Sequence, residues 1–480
     1  MRFFYYFGII STKTYEKSPS RTLIFAASNT FAQKPGALSY AQLKDYEGIY
    51  QYSNHATIKM AAPLDGKVLI AILNQSHYTL EPGEKDVFYD GGHRRIGFFR
   101  GNDGLVYGYT LEKDTFKLIT RNVVLPKQMW YPRIVSDPKN FQYHYKIPAD
   151  LHDGLPVENI SKTVLDTALL ATMMHKIVAG DYPNVHSVLI LDHGKLVFEE
   201  YFYEFTADSV QEERSATKSI ISALTGIALH QGLIKSLDNK VLPYFPEIHP
   251  ENDSPLKHQI TVGDLLSNQS GLNYDEAYDK AVGNETAMGY TSDWVKYTFD
   301  QPMLDTPGTK GRYASGNPIT VGRIIEKTSG MPLRDYAVKN LFGPMGITHF
   351  RWHFKTDQSE AEDFCQVYLR PRDMAKFGKL ILDNGQWQNK QLVPAEWVAE
   401  STSKHSVIQN VDYGYLWWLK YYDANRTRYY GVAAQGNGGQ KIVIFRQQQL
   451  VVVITGGNYN SQSPSDELMK KYILPAFNKK

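Results

Sequence analysis

The periodicity of the chain changes once, near Ile160, and that change limits the fold more than any other feature. Ahead of it, from about Ser39 to Arg121, runs such as "GIYQYSNHATIKMAA", "KVLIAIL", "LVYGYTL" and "FKLIT" are separated by the turn signals "LDG", "YDGG" and "GNDG". No helix-period run of useful length occurs there. Residues 37–128 are therefore expected to form a small antiparallel β domain, either a curved sheet or a barrel. The run "PKQMWYPRIVSDPKNFQYHYKIPADLHDGLP", rich in Pro, Tyr and His, shows no period. It reads as a linker over residues 129–160 that drapes across a neighbour.

Beyond Ile160, helices and strands mix. "VLDTALLATMMHKIVAG" is an amphipathic helix closed by Gly180, and "VHSVLILDHGKLVFEEYF" a hairpin turning at Asp192-His193-Gly194. Helices follow in "TVGDLLSNQSG", with Thr261 as N-cap, and in "PITVGRIIEKTSG", "RDMAKFGKLILDNG" and "PAEWVAEST". The strands "YGYLWWLKYY", "KIVIF" and "QLVVVITGG" and a last helix, "PSDELMKKYIL", close the chain. Strands at both ends of a helical middle imply one antiparallel sheet flanked by helices over residues 161–480, an α/β chain of the α+β type. A length of 480 residues agrees with more than one domain.

The totals exclude several functions. A net charge of +2 supplies no field that would favour nucleic acid or an anionic membrane. Cys365 is the single cysteine, so there is no internal disulfide and no thiolate metal cluster; it reads as core. His349 and His353 would share a strand face but stand about 13 Å apart at ~3.3 Å per residue, too far to hold one ion. HExxH, a Walker loop and G-x-G-x-x-G are missing, so no metal or cofactor is expected. The first apolar run, "FFYYFGII", is too short to span a membrane. "TLIFAASNTFAQ" behind Arg21, with Thr30-Phe31-Ala32 as a small-residue cleavage site, makes residues 1–36 a leader. It points to export to the periplasm or medium, against the rival of a disordered leader on a cytoplasmic protein.

S-x-x-K occurs four times. Ser136–Lys139 lies in the linker, Ser254–Lys257 precedes a short loop, and Ser401–Lys404 trails off a helix. Only Ser215-Ala-Thr-Lys218 opens a long apolar helix, in "ERSATKSIISALTGIALHQG". Two readings compete there. Ser215 is an N-cap with a solvated lysine behind it, or a nucleophile with its own base. For the second, the i, i+3 spacing sets hydroxyl and amine on one face. The helix start offers free N–H groups to an oxyanion. An apolar helix body should bury Lys218 and lower its pKa toward a neutral amine. No serine sits in G-x-S-x-G, which removes an α/β-hydrolase elbow.

Around these residues the chain resembles the serine β-lactamase and penicillin-recognising hydrolases, in the class C, esterase and 6-aminohexanoate-dimer-hydrolase branch, from roughly Lys162 onward. The S-D-N and K-T-G companions of class A are missing, and "EKTSG" is a helix end rather than a strand. "GRYASGN" instead gives Tyr313-Ala314-Ser315, similar to that branch's Tyr-x-Asn or Tyr-x-Ser. The resemblance implies Ser215 as nucleophile, Lys218 and Tyr313 as managers of the proton, and Ser315 bonded to Lys218 or substrate. In "GVAAQGNGGQKIVIF" it implies Gly436 at the late-strand glycine, with Gly438 beside the substrate. The N–H of Asn437 would then join that of Ser215 as the oxyanion hole. Ala434 and Gln435 stand where the family carries Lys or His, which favours ester or amide substrates over those presenting a carboxylate. Trp417 and Trp418 read as sheet core.

The implied fold is a β-lactamase-like antiparallel sheet flanked by helices with an all-helical lobe. The implied function is a serine hydrolase forming an acyl-enzyme on a small-molecule or short-peptide substrate, without nucleic acid, metal or cofactor. The alternatives are a β-lactamase or D-amino-acid peptidase, or a non-catalytic module that binds cell-wall peptide or senses it.

Overall fold

The computed structural model describes residues 38–51, 57–73, 75–276, 281–289, 291–354 and 365–477; the expected leader lies outside them. The chain divides into two compact units, Met1–Pro126 with Tyr459–Ser461, and Lys127–Asn458 with Gln462–Lys480.

In the first unit eight strands pair antiparallel in sequence order, and the first, Gly48–Gln51, also pairs with the last, Asp114–Thr120. The sheet is therefore a closed barrel, which leaves no unpaired edge. Along Ser76–Pro82 the side chains alternate: Ser76, Tyr78 and Leu80 point inward, and Thr79 and Glu81 outward. Tyr50, Phe88, Phe98, Tyr109 and Phe116 fill the interior, with Tyr109 stacked on Phe116 at 4.5 Å between ring centroids.

The second unit is built on an eight-stranded sheet. Its order is Lys195–Tyr201, Val185–Asp192, Leu450–Gly456, Gln440–Phe445, Thr427–Gly436, Trp418–Ala424, Val411–Tyr413, Ser406–Ile408, and each strand runs antiparallel to the next. The Val185–Tyr201 hairpin turns through His193 and Gly194, at φ +48° and +72°. Val185–Asp192, Gln440–Phe445 and Leu450–Gly456 are buried at every position, because helices cover both faces. The Thr167–Val178 helix and the helical stretch Ser465–Ala476 pack with one face in a single apolar cluster. Pro371–Leu382 packs against the central strands through Gly378, where a Cβ would meet Val451 Cγ1 at 2.5 Å.

Residues 127–160 are irregular apart from short 3₁₀ turns. They hydrogen-bond to the outer strand, Tyr143 Oη donating to Glu200 at 2.7 Å and Tyr145 Oη to the Val197 carbonyl at 3.0 Å. Helices including Val262–Leu266, Trp294–Asp300 and Gly316–Ser329 make up the lobe beside the sheet, the last ending on Gly330 at φ +67°. The "EKTSG" string is that helix end. Among the described residues no helix is long and apolar enough to cross a membrane.

Candidate active site

Ser215 sits in a 3₁₀ turn, Arg214–Ala216, that leads without a break into the Thr217–His230 helix. The turn is pinned from both sides. The Glu213 N–H donates to the Val367 carbonyl at 2.9 Å, and the Val367 N–H donates to Thr217 Oγ1 at 3.1 Å. Arg214 holds φ +48°, a left-handed conformation costly for a side chain of that size, immediately before the serine. Ser215 caps no backbone N–H group; Lys218 Nζ donates to its Oγ at 2.8 Å. Lys218 is only 6% exposed, because the helix it opens is buried along nearly its whole length. A cap with a solvated lysine is thereby excluded.

Tyr313 comes to this pair from the loop before the Gly316–Ser329 helix, with Lys218 Nζ 5.1 Å from its ring centroid. Asn268, buried and at φ +56°, shapes that loop. Its carbonyl accepts from the Arg312 N–H at 2.9 Å, and its Oδ1 from Asn317 Nδ2 at 3.0 Å and the Ala314 N–H at 3.4 Å. Trp417 is sheet core, but Trp418 is half-buried and lies 5.4 Å from the Tyr313 ring, so it belongs to the site as well as to the sheet.

The Thr427–Gly436 strand ends beside the nucleophile turn. A Cβ on Gly436 would stand 2.2 Å from the Glu213 carbonyl oxygen and 2.9 Å from Arg214 Cβ, so only glycine fits. Asn437 follows as an exposed turn residue. Gly438 is buried, and its carbonyl accepts from the Asn458 N–H at 3.0 Å, which fixes it as a bridge to the chain after the last strand.

Two expectations are corrected. Ser315 bonds neither Lys218 nor open space: it is 2% exposed, and its Oγ donates to Glu285 Oε2 at 2.9 Å. Lys218 is not pushed toward a neutral amine. Burial pulls its pKa down, but the charges of Tyr313, Glu285, Cys365 and Glu276 outweigh burial and hold it above the ordinary lysine value.

These anionic neighbours were not visible as a motif. Glu276 and Glu285 come from the stretch between the Val262–Leu266 and Trp294–Asp300 helices, Glu285 opening the short helix Glu285–Met288, and Gln366 and Cys365 from the segment entering the Val367–Leu369 strand. Glu213 is fully buried, two residues before Ser215, and burial raises its pKa well above the ordinary carboxylate value. No local spacing announces any of them. Cys365 is a buried free thiol whose pKa is raised by burial. Among the described residues no group of three His, Cys, Asp or Glu could hold a metal ion. His349 is exposed and His353 half-buried.

A nucleophilic hydroxyl, a buried lysine hydrogen-bonded to it, a phenol ring beside that lysine and a glycine strand end closing on the serine turn form a site able to transfer acyl groups. The chain is similar to known proteins. The chain is 27% identical to the lovastatin esterase of Penicillium rubens over 199 residues, covering 38% of this chain and 49% of that protein. It is 29% identical over 118 residues to an Escherichia coli (strain K12) protein named a D-alanyl-D-alanine carboxypeptidase, covering 23% and 26%. The aligned stretches thus span about a quarter to a half of these relatives' length. The crystal structure of a family VIII carboxylesterase shares the fold, with a TM-score of 0.51 at 15% identity over 65% of this chain and 97% of that one. The beta-lactamase family model matches residues 172–474, and the chain belongs to the beta-lactamase family.

Proposed function

We propose that the protein is a serine hydrolase that acts on an ester or amide carbonyl through an acyl-enzyme. The observation that carries this reading is the 2.8 Å bond from buried Lys218 Nζ to half-buried Ser215 Oγ. Ser215 Oγ attacks the carbonyl carbon while its proton passes to the Lys218–Tyr313 pair. The tetrahedral oxyanion is received by the N–H groups of Ser215 and Asn437. Collapse breaks the bond to the leaving alcohol or amine, which takes the proton. Water, deprotonated by the same pair, then frees the acid and restores the serine.

An ammonium donates and cannot accept. The raised Lys218 therefore has to lose its proton, or pass the accepting role to Tyr313, before attack. Ala434 and Gln435 favour ester or simple amide substrates over those with a carboxylate beside the scissile bond. The reading as a β-lactamase or D-amino-acid peptidase is supported by the family model and by the likeness to the protein named a D-alanyl-D-alanine carboxypeptidase.

A fluorophosphonate probe tests the assignment. It should label the wild type and not Ser215→Ala; equal labelling of both overturns it. Side-by-side turnover of a nitrophenyl butyrate, a chromogenic cephalosporin and a D-alanyl amide then ranks the substrate classes, with the ester expected first.

A further inference from the structure

Two half-buried carboxyl groups flank the lysine's surroundings, and one residue, Ser315, is bonded to both. The Ser315 N–H donates to Glu276 Oε1 at 3.3 Å, and its hydroxyl donates to Glu285 Oε2 at 2.9 Å. The Glu285 N–H donates to both Glu276 oxygens at 3.1 Å, so the two glutamates are also linked directly. Gln366 Nε2 donates to Glu285 Oε1 at 3.1 Å. Glu285 and Lys218 line one narrow space of about 10 Å³, with Thr217, Ser315, Cys365 and Gln366 among its other walls. Such a space holds one water at most, so the charges around it act on one another with little solvent between them.

We infer that Glu276 and Glu285 are positioning residues whose negative charges set the charge state of Lys218, and with it the pH at which Ser215 becomes reactive. The inference rests on the reading of Ser215 as nucleophile. A carboxylate is harder to ionise when a second one stands close to it. Burial, then the Glu285 charge, push Glu276 up to about 7.

The groups facing the pair come from every side. Lys218 and Thr217 belong to the nucleophile helix, Ser315 to the start of the Gly316–Ser329 helix, and Gln366 and Cys365 to the segment before Val367. Tyr297 faces Glu276 from the Trp294–Asp300 helix, Tyr313 acts on Lys218, and Arg214 and Arg323 act on Cys365. Above pH 7 the Glu276 charge adds to the field that holds the Lys218 ammonium; below it, that charge is lost.

The test is the pH dependence of the rate at which a fluorophosphonate modifies Ser215 in wild type, Glu285→Gln and Glu276→Gln. With one carboxylate charge removed, the limb along which reactivity rises should move down by roughly one pH unit; a limb that stays in place overturns the inference. Melting supplies a second readout that needs no reactivity. A carboxyl raised from 4.5 to about 7 in the folded state contributes stability that is whole below 4.5 and lost as pH rises through 7. The melting temperature of Glu276→Gln should therefore gain on the wild type from pH 4.5 to 7 and run parallel above it. A difference that does not vary with pH overturns the pair even if Glu285→Gln fails to fold. A wild type unreactive at every pH instead refutes the nucleophile, and the melting comparison still judges the glutamates.

Discussion

A methyl group on Gly436 would overlap the carbonyl oxygen of Glu213 at 2.2 Å, and that residue has little room to retreat. Its N–H is tied to Val367, and the left-handed Arg214 and then Ser215 follow directly. Gly436→Ala therefore has to push the strand end away from the serine turn. On the proposed reading this separates the two N–H donors of the oxyanion hole, and losing one such donor lowers kcat by roughly 10²–10³. The overlap itself costs about 1–3 kcal/mol of stability. Ester turnover and a melting curve check the two effects, and an unchanged kcat would remove Gly436 from the site. Lys218 shows the same dependence on neighbours. Burial alone would lower its pKa, and four anionic or ionisable groups outweigh that effect.

The Thr217–His230 helix is the element on which the site depends, and Gly226 shows how tightly it is held. In a helix interior, Gly→Ala ordinarily gains up to about 1 kcal/mol. Here the added Cβ would stand 2.0 Å from Trp397 Cδ1, and that indole is anchored by its Nε1 donating to the Ser222 carbonyl at 2.9 Å. Overpacking of about 1–3 kcal/mol outweighs the propensity gain. Gly226→Ala should thus melt below the wild type, and adding Trp397→Leu should recover part of the loss. A Gly226→Ala variant that melts higher would contradict the packing. Elements of this kind were legible in advance, since Ser215, Lys218 and the helix behind them share one local run whose spacing fixes which side chains meet. The Val185–Tyr201 hairpin was equally plain from two apolar runs either side of the turn Asp192-His193-Gly194. Glu276, Glu285 and Gln366 were not legible, because only tertiary packing brings two distant segments of the chain to Lys218. Trp418 escaped for a related reason: strand alternation reports a face of the sheet, not which loop lies over it.

At the scale of the whole molecule, each unit closes its own apolar core. The barrel interior gathers around Tyr50, Phe88, Phe98, Tyr109 and Phe116, whereas the sheet of the second unit buries its strands against the Thr167–Val178 and Ser465–Ala476 helical stretches. Phe88 is 0% exposed and packs edge-on to Tyr46 and Phe98, at 4.9 and 5.6 Å between ring centroids. Phe88→Ala in the full chain removes a ring from a barrel that cannot collapse without breaking its closed ladder, a loss of about 3–5 kcal/mol. Domains with separate cores can unfold separately. Calorimetry of this variant should therefore show one transition moved to lower temperature and a second in place. Between the two, fluorophosphonate labelling of Ser215 should persist, because every residue bonded to the serine or to its lysine lies in the second unit. Labelling that disappears with the first transition would mean that the two cores melt as one, and that the barrel is needed to hold the Ser215 turn in shape.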